Sequence, residues 1–200
     1  MDEQTIIATA LASGFTNAAV MDVKDLVYVP EYRKFCEENL CGNYNRLPVC
    51  PPACGTNEEM HSRMLGYQRA LILQTELRPI KKEHSEYLAG KKAHNLLLEQ
   101  LIAKLELKDI LVMSCGPWKS YSCMSAYSID AEKMAQSCNM ICWGNDGIIR
   151  FFSSILFNLN ISVKFPQLIK NCSYGNFATA HFSADAFIKY LIGTPLFFAT

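Results

Sequence analysis

The chain has 200 residues, a length that suits one sizeable domain with at most an appendage. Half of it is hydrophobic, enough to bury a real core without covalent staples. Nineteen basic residues balance nineteen acidic ones, and a zero formal net charge argues against a nucleic-acid or anionic-membrane partner, both of which need a basic patch.

The first residues, MDEQTIIATALASGF, carry two acids and no basic segment, so they do not read as a secretory signal. Ile6, Ile7, Ala10 and Leu11 recur at helical spacing, with Gly14 as a C-cap. A short strand is predicted over Asn17 to Val23, and a helix over Tyr32 to Asn39 that delivers Cys36 near its end. A cysteine-rich segment runs on to Cys54. Thr56 to Glu59 has the form of a capping box, so a helix starts there and carries His61 and Met64. Arg69 to Glu76 is a strongly apolar strand.

The clearest helix spans Lys81 to Leu107, where Leu97, Leu101 and Leu105 are spaced by four. Gly90 is its weak point. His84 and His94 lie ten residues apart, share no helical face and read as surface residues. His61 is the histidine to consider as a ligand or proton donor. Asp109 to Ser114 is a buried strand that ends in Cys115-Gly116-Pro117. Asp130 to Cys138 is a short helix with Asp130 as N-cap. Two β-like runs follow, Met140 to Trp143 and Ile148 to Phe157. Gly144-Asn145-Asp146-Gly147 between them predicts a hairpin.

No stretch reaches the roughly 18 apolar residues of a membrane span. The most apolar run, Ile148 to Phe157, is shorter and carries Arg150. The chain is expected to be cytoplasmic, with no transmembrane segment. The elements predict an α+β or α/β domain over 1–157, a mixed sheet covered by helices, with a cysteine-rich loop and a C-terminal hairpin. After residue 157 the composition shifts to apolar and small polar residues, so 158–200 reads as an aromatic-rich extension with a helix over Ser183 to Ile192.

Nine cysteines is an odd count, and cytoplasmic thiols stay reduced, so a disulfide framework is disfavoured. Four fall at Cys36-x4-Cys41-x8-Cys50-x3-Cys54. Short loops lower the cost of bringing ligands together, Pro51-Pro52 would hold the backbone extended after Cys50, and Gly42 and Gly55 allow tight turns. A mostly thiolate site of this kind suits zinc or an iron–sulfur cluster. The competing reading is that these are small buried hydrophobes. Cys115 follows a strand, a natural place for a ligand. Cys123, Cys138, Cys142 and Cys172 read as structural.

The run FCEENLCGNYNRLPVCPPACGTNEE resembles the hallmark of a bacterial and archaeal family of predicted metal-binding proteins of unknown function. The matching positions are Cys36, Cys41, Gly42, Tyr44, Cys50, Pro51, Pro52, Gly55, Thr56 and Glu59. Downstream, SCMSAYSID resembles the family's Ser-Met-Glu-Ala-Tyr-Gly-Ile-Asp segment at Met124, Ala126, Tyr127, Ile129 and Asp130. The family's run of several cysteines before that segment is shortened here to SCGPWKSYSC, and Ser125 replaces the glutamate.

The resemblance implies metal ligation by Cys36, Cys41 and Cys50, with Cys115 as fourth ligand and Cys54 as its competitor. With an iron–sulfur cluster the role would be electron transfer or redox sensing, with a redox or protein partner. With zinc it would be structural. The alternatives are a metal-free thiol enzyme with a nucleophilic or redox cysteine, and a protein-interaction module that uses the aromatic tail.

Overall fold

The computed structural model describes residues 1–81 and 83–159. Of the C-terminal extension only its first two positions fall within this range, so the expected helix over 183–192 and Cys172 lie outside the described residues. Helix α1 (Glu3–Ala12) is capped by Asp2, which accepts from the Thr5 amide at 2.8 Å. Gly14 leaves it with a φ of 109°. Then come β1 (Asn17–Asp22), α2 (Arg33–Glu37), α3 (Asn57–Leu65), β2 (Arg69–Leu77), α4 (His84–Leu105), β3 (Leu111–Ser114), β4 (Ser122–Cys123), α5 (Ala131–Ser137) and β5 (Ile149–Phe157). A 3-10 turn, Met124–Tyr127, links β4 to α5.

The strands form one mixed sheet in the order β1-β2-β5-β3-β4, antiparallel except for the parallel pair β3–β4. The domain is α+β. Strands β2 and β5 sit in the middle and are covered on both faces, which explains their continuous apolar runs. Along β2, Leu71 and Leu73 face α1 and α4 beside Ile6, Ala10, Leu98 and Leu101. Ala70 and Ile72 face the opposite layer, built from Met60 and Met64 of α3, Ala126 and Tyr127 of the 3-10 turn, and Met134 of α5. Replacing a fully buried leucine here by alanine would cost about 2–5 kcal/mol, because the close-packed neighbours cannot collapse into the space.

Two sequence expectations change. Gly90 does not break α4. A Cβ at this position would lie 2.8 Å from the Phe151 ring and 2.9 Å from the Leu77 side chain, so the missing side chain lets helix and sheet approach closely. The C-terminal hairpin is absent. Residues 140–143 form no strand, and β5 pairs with β2 and β3 instead. The source of the error is visible: Met140 and Cys142 are buried while Ile141 and Trp143 are exposed, which is strand periodicity without a strand partner. Asp146 binds Arg150 and the Ile148 amide rather than turning a hairpin.

His94 also departs from expectation. It is 1% exposed, wedged between α4 and the sheet. Its Nδ1 lies 2.8 Å from the Thr75 hydroxyl on β2, and its Nε2 lies 3.0 Å from the Ser153 hydroxyl on β5. Burial penalises the imidazolium and lowers the pKa from 6.5 to about 4. Between these two values the unfolded chain binds a proton that the folded chain does not. Stability is therefore full above pH 6.5 and falls as pH drops through the folded value of about 4. The loss amounts to about 3 kcal/mol. His94→Gln keeps a donor and an acceptor but does not titrate. Urea denaturation of the two proteins across the acid range should show that the variant loses much of this pH dependence.

Candidate functional site

Helix α2 carries Cys36 in its last turn. From there to α3 the chain runs in successive turns that place the thiols at different depths: Cys41 is exposed, whereas Cys50 and Cys54 are buried. The Pro51–Pro52 peptide is cis. The extended segment expected there is replaced by a turn, with the Cys54 amide donating to the Cys50 carbonyl at 3.1 Å and the Gly55 amide to the Pro52 carbonyl at 3.0 Å. Thr56 then starts α3 with the expected capping box, accepting from the Glu59 amide at 3.2 Å while Glu59 accepts from the Thr56 amide at 2.8 Å.

Arg33 ties this segment to the rest of the domain. Its guanidinium donates to the Ala126 carbonyl in the 3-10 turn at 2.7 Å and to the Gly55 carbonyl at the end of the cysteine segment. Arg63 of α3 adds a bond to the Cys54 carbonyl at 2.8 Å. Asn57 joins the two sides, donating to the Pro30 carbonyl at 2.9 Å and accepting from Ser128 at 2.8 Å. Three pieces of chain, at Pro30, Cys54–Gly55 and Ala126–Ser128, are thereby held together, each of their four carbonyls finding a charged or amide donor.

This arrangement overturns the expected thiolate-ligated metal centre. Among the described residues, no three histidine, cysteine, aspartate or glutamate side chains converge on a point that could hold a metal ion. The expected ligands Cys36, Cys41, Cys50, Cys115 and Cys54 do not form such a group, and neither an iron–sulfur cluster nor zinc fits them. Burial pushes the Cys50 thiol up to about 11, aided by repulsion from neighbouring cysteines, and raises Cys54 as well. Cys54 packs in the apolar layer with Met60, Met64 and Tyr127, in the manner of a small hydrophobe. No distinct metal loop is present.

Cys123, read from sequence as structural, is the thiol with unusual chemistry. It ends β4 and forms the N-cap of the 3-10 turn. Helix α2 packs on that turn, and Cys36 is the first influence on the acidity of Cys123. The Cys123 pKa is lowered, first by Cys36, then against the cost of burial by the Ala126 and Ser125 backbone and the positive charge of Lys91. Cys36 is pushed strongly up, first by Cys123 and then by its own burial. Of the two, Cys123 is the more acidic thiol. No two described cysteines are bonded to each other.

Cys115 terminates β3, as expected, but takes a different role. Its backbone is gripped by Asn95 of α4, which accepts from the Cys115 amide at 3.1 Å and donates to its carbonyl at 3.0 Å. Burial raises its thiol to about 11. His61 stacks on Tyr28 with ring centroids 3.9 Å apart. Cys138 packs against Met21 and Cys142 lies in the same apolar layer. The link between Cys36 and Cys123 was invisible in sequence because the two are joined only through the tertiary seat of α2 on the 3-10 turn. The nearest local signal was the position of Cys123 at a strand end, three residues before buried Ala126.

The family model described as "Predicted metal-binding protein (DUF2284)" matches residues 19–119. That span takes in the Cys36–Gly55 run and stops short of Cys123. No curated protein and no solved structure matches the chain. Among the described residues, no helix is long and apolar enough to cross a membrane.

The Arg33 clamp makes a direct prediction. Arg33→Ala should lower stability by about 2 kcal/mol or more and expose residues 39–49 to proteolysis, since two carbonyls lose a charged donor. Arg33→Lys should rescue little, because a point ammonium cannot span both acceptors. Chemical denaturation with limited proteolysis reads both effects.

Proposed function

We infer that this chain, which belongs to the predicted metal-binding protein family (DUF2284), works through a pair of thiols and without a metal. It is a thiol–disulfide redox protein in which Cys123 is the nucleophile and Cys36 the resolving thiol. The observation that carries this reading is the packing of α2, with Cys36 in its last turn, on the 3-10 turn that Cys123 caps, together with the lowered pKa of Cys123. A thiolate is the reactive form, and a partly accessible thiolate beside a second thiol is the arrangement that disulfide exchange requires.

The steps follow from the geometry. The Cys123 thiolate attacks one sulfur of a disulfide R–S–S–R. That bond breaks, a mixed disulfide Cys123–S–S–R forms, and R–S⁻ leaves. Cys36 gives its proton to this leaving thiolate. The Cys36 sulfur then attacks the Cys123 sulfur and expels the second R–S⁻, which takes a proton from water. Two protein thiols become one disulfide, and one substrate disulfide becomes two thiols. Closing the bond brings the two sulfurs to about 2.05 Å. Cys36 sits in the last turn of a five-residue helix, so the movement stays local.

Removing Cys36 tests the pair. In Cys36→Ala the Cys123 pKa rises toward the ordinary thiol value, so its alkylation under mildly acidic conditions should slow about tenfold. In the unaltered protein, limited oxidation with glutathione disulfide should yield a Cys36–Cys123 cross-linked peptide by mass spectrometry. Equal alkylation rates in both proteins, or a tightly held metal that protects several cysteines together, would sink the reading.

A further inference from the structure

Strand β5 is nine residues long, but β3 pairs with only its last part, at Leu111–Leu156, Val112–Ile155 and Met113–Ser154. At Ser114 the chain leaves the sheet. Cys115 turns away from β5, its amide donating to Asn95 Oδ1 at 3.1 Å. Alternation along an antiparallel strand turns every second residue's N–H and C=O to the same side. From Ser153 back to Ile149, no described strand lies opposite this edge of β5.

A cavity of about 390 Å³ occupies the gap, within the size range of small-molecule sites. Tyr87, Trp143, Phe151 and Phe152 line it, with Cys115 at one side. Trp143, 74% exposed, is the most accessible of these rings. The one charged group in the lining, Arg150, is already neutralised. Its Nη2 lies 2.5 Å from Asp146 and its Nε 3.1 Å from Glu76. Two carboxylates against one guanidinium leave the floor unsuited to an anion, and a cation would meet a field already cancelled by Arg150.

We propose that this cavity binds a small, neutral, planar heteroaromatic molecule, whose ring stacks on Trp143 and whose amide-like edge pairs with the unpartnered edge of β5. Rings of this kind match the lining in shape, and a joined donor and acceptor match a strand edge. The ligand would lie against the Cys115 thiol. Binding here does not depend on exchange between Cys36 and Cys123.

The probe is 2-quinolone, a neutral bicyclic lactam, titrated into Trp118→Phe protein so that Trp143 is the one remaining tryptophan. The expected result is saturable quenching of Trp143 emission and slower alkylation of Cys115. N-methyl-2-quinolone, which lacks the donor, and naphthalene-1-sulfonate, an anion, should each bind about tenfold more weakly. Trp143→Ala, at an exposed position that cannot unfold the core, should weaken the lactam by a similar factor, read by protection of Cys115. No saturable quenching, tighter binding of the sulfonate, or Cys115 protection unchanged in Trp143→Ala would overturn the proposal.

Discussion

The two longest strands of the sheet, β2 and β5, run side by side for their whole length, while β3 covers only one end of β5. Much of the chemistry in this domain depends on that mismatch. The paired half builds the core, where both faces of the strands are dry and each residue contributes packing. The unpaired half cannot be filled with another strand, so it is bordered by a sulfur, aromatic rings and an ion pair. The same early end of β3 sets the chain free at Cys115 and returns it through β4 to Cys123. The parallel pairing of β4 with β3 then places that second cysteine beside the first.

Burial alone would keep these thiols protonated, since a sulfur loses more hydration as an anion than as a thiol. Cys50 and Cys115 follow that rule, and their pKa values rise. Cys123 departs from it because Cys36, the nearby Ala126 and Ser125 backbone and Lys91 together outweigh its burial. Arg33 acts from a distance by holding α2 against the 3-10 turn, and its bond to the Ala126 carbonyl fixes one of the residues whose backbone lowers the Cys123 pKa. The residue that holds the site would therefore take no part in the proposed exchange.

What could be read from sequence was local. The capping box at Thr56, the Asp130 N-cap and the leucine spacing of α4 each involve side chains within one or two turns, and each appears where the pattern places it. The central strands were legible because burial on both faces leaves an uninterrupted apolar run. The spacing of Cys36, Cys41, Cys50 and Cys54 was also local, but it misled. Short loops make convergence affordable without requiring it, and the turns that follow α2 send neighbouring sulfurs to different depths. The false hairpin at Met140–Trp143 has the same origin, since alternating burial reports the two environments beside a chain and not its hydrogen-bond partners. Cys123 and His94 were missed because their partners come from elements far away in sequence.

The seat of His94 has a consequence for its neighbours. A neutral imidazole carries one N–H and one bare nitrogen, so it can donate to one hydroxyl and must accept from the other. Thr75 and Ser153 look alike on the page, yet they hold opposite ends of the ring and must play opposite roles. The row from β2 through α4 to β5 therefore has a polarity, and moving a single proton across the ring would reverse it. One layer of an otherwise apolar interior thus carries a two-state dipole, set by the tautomer of one side chain.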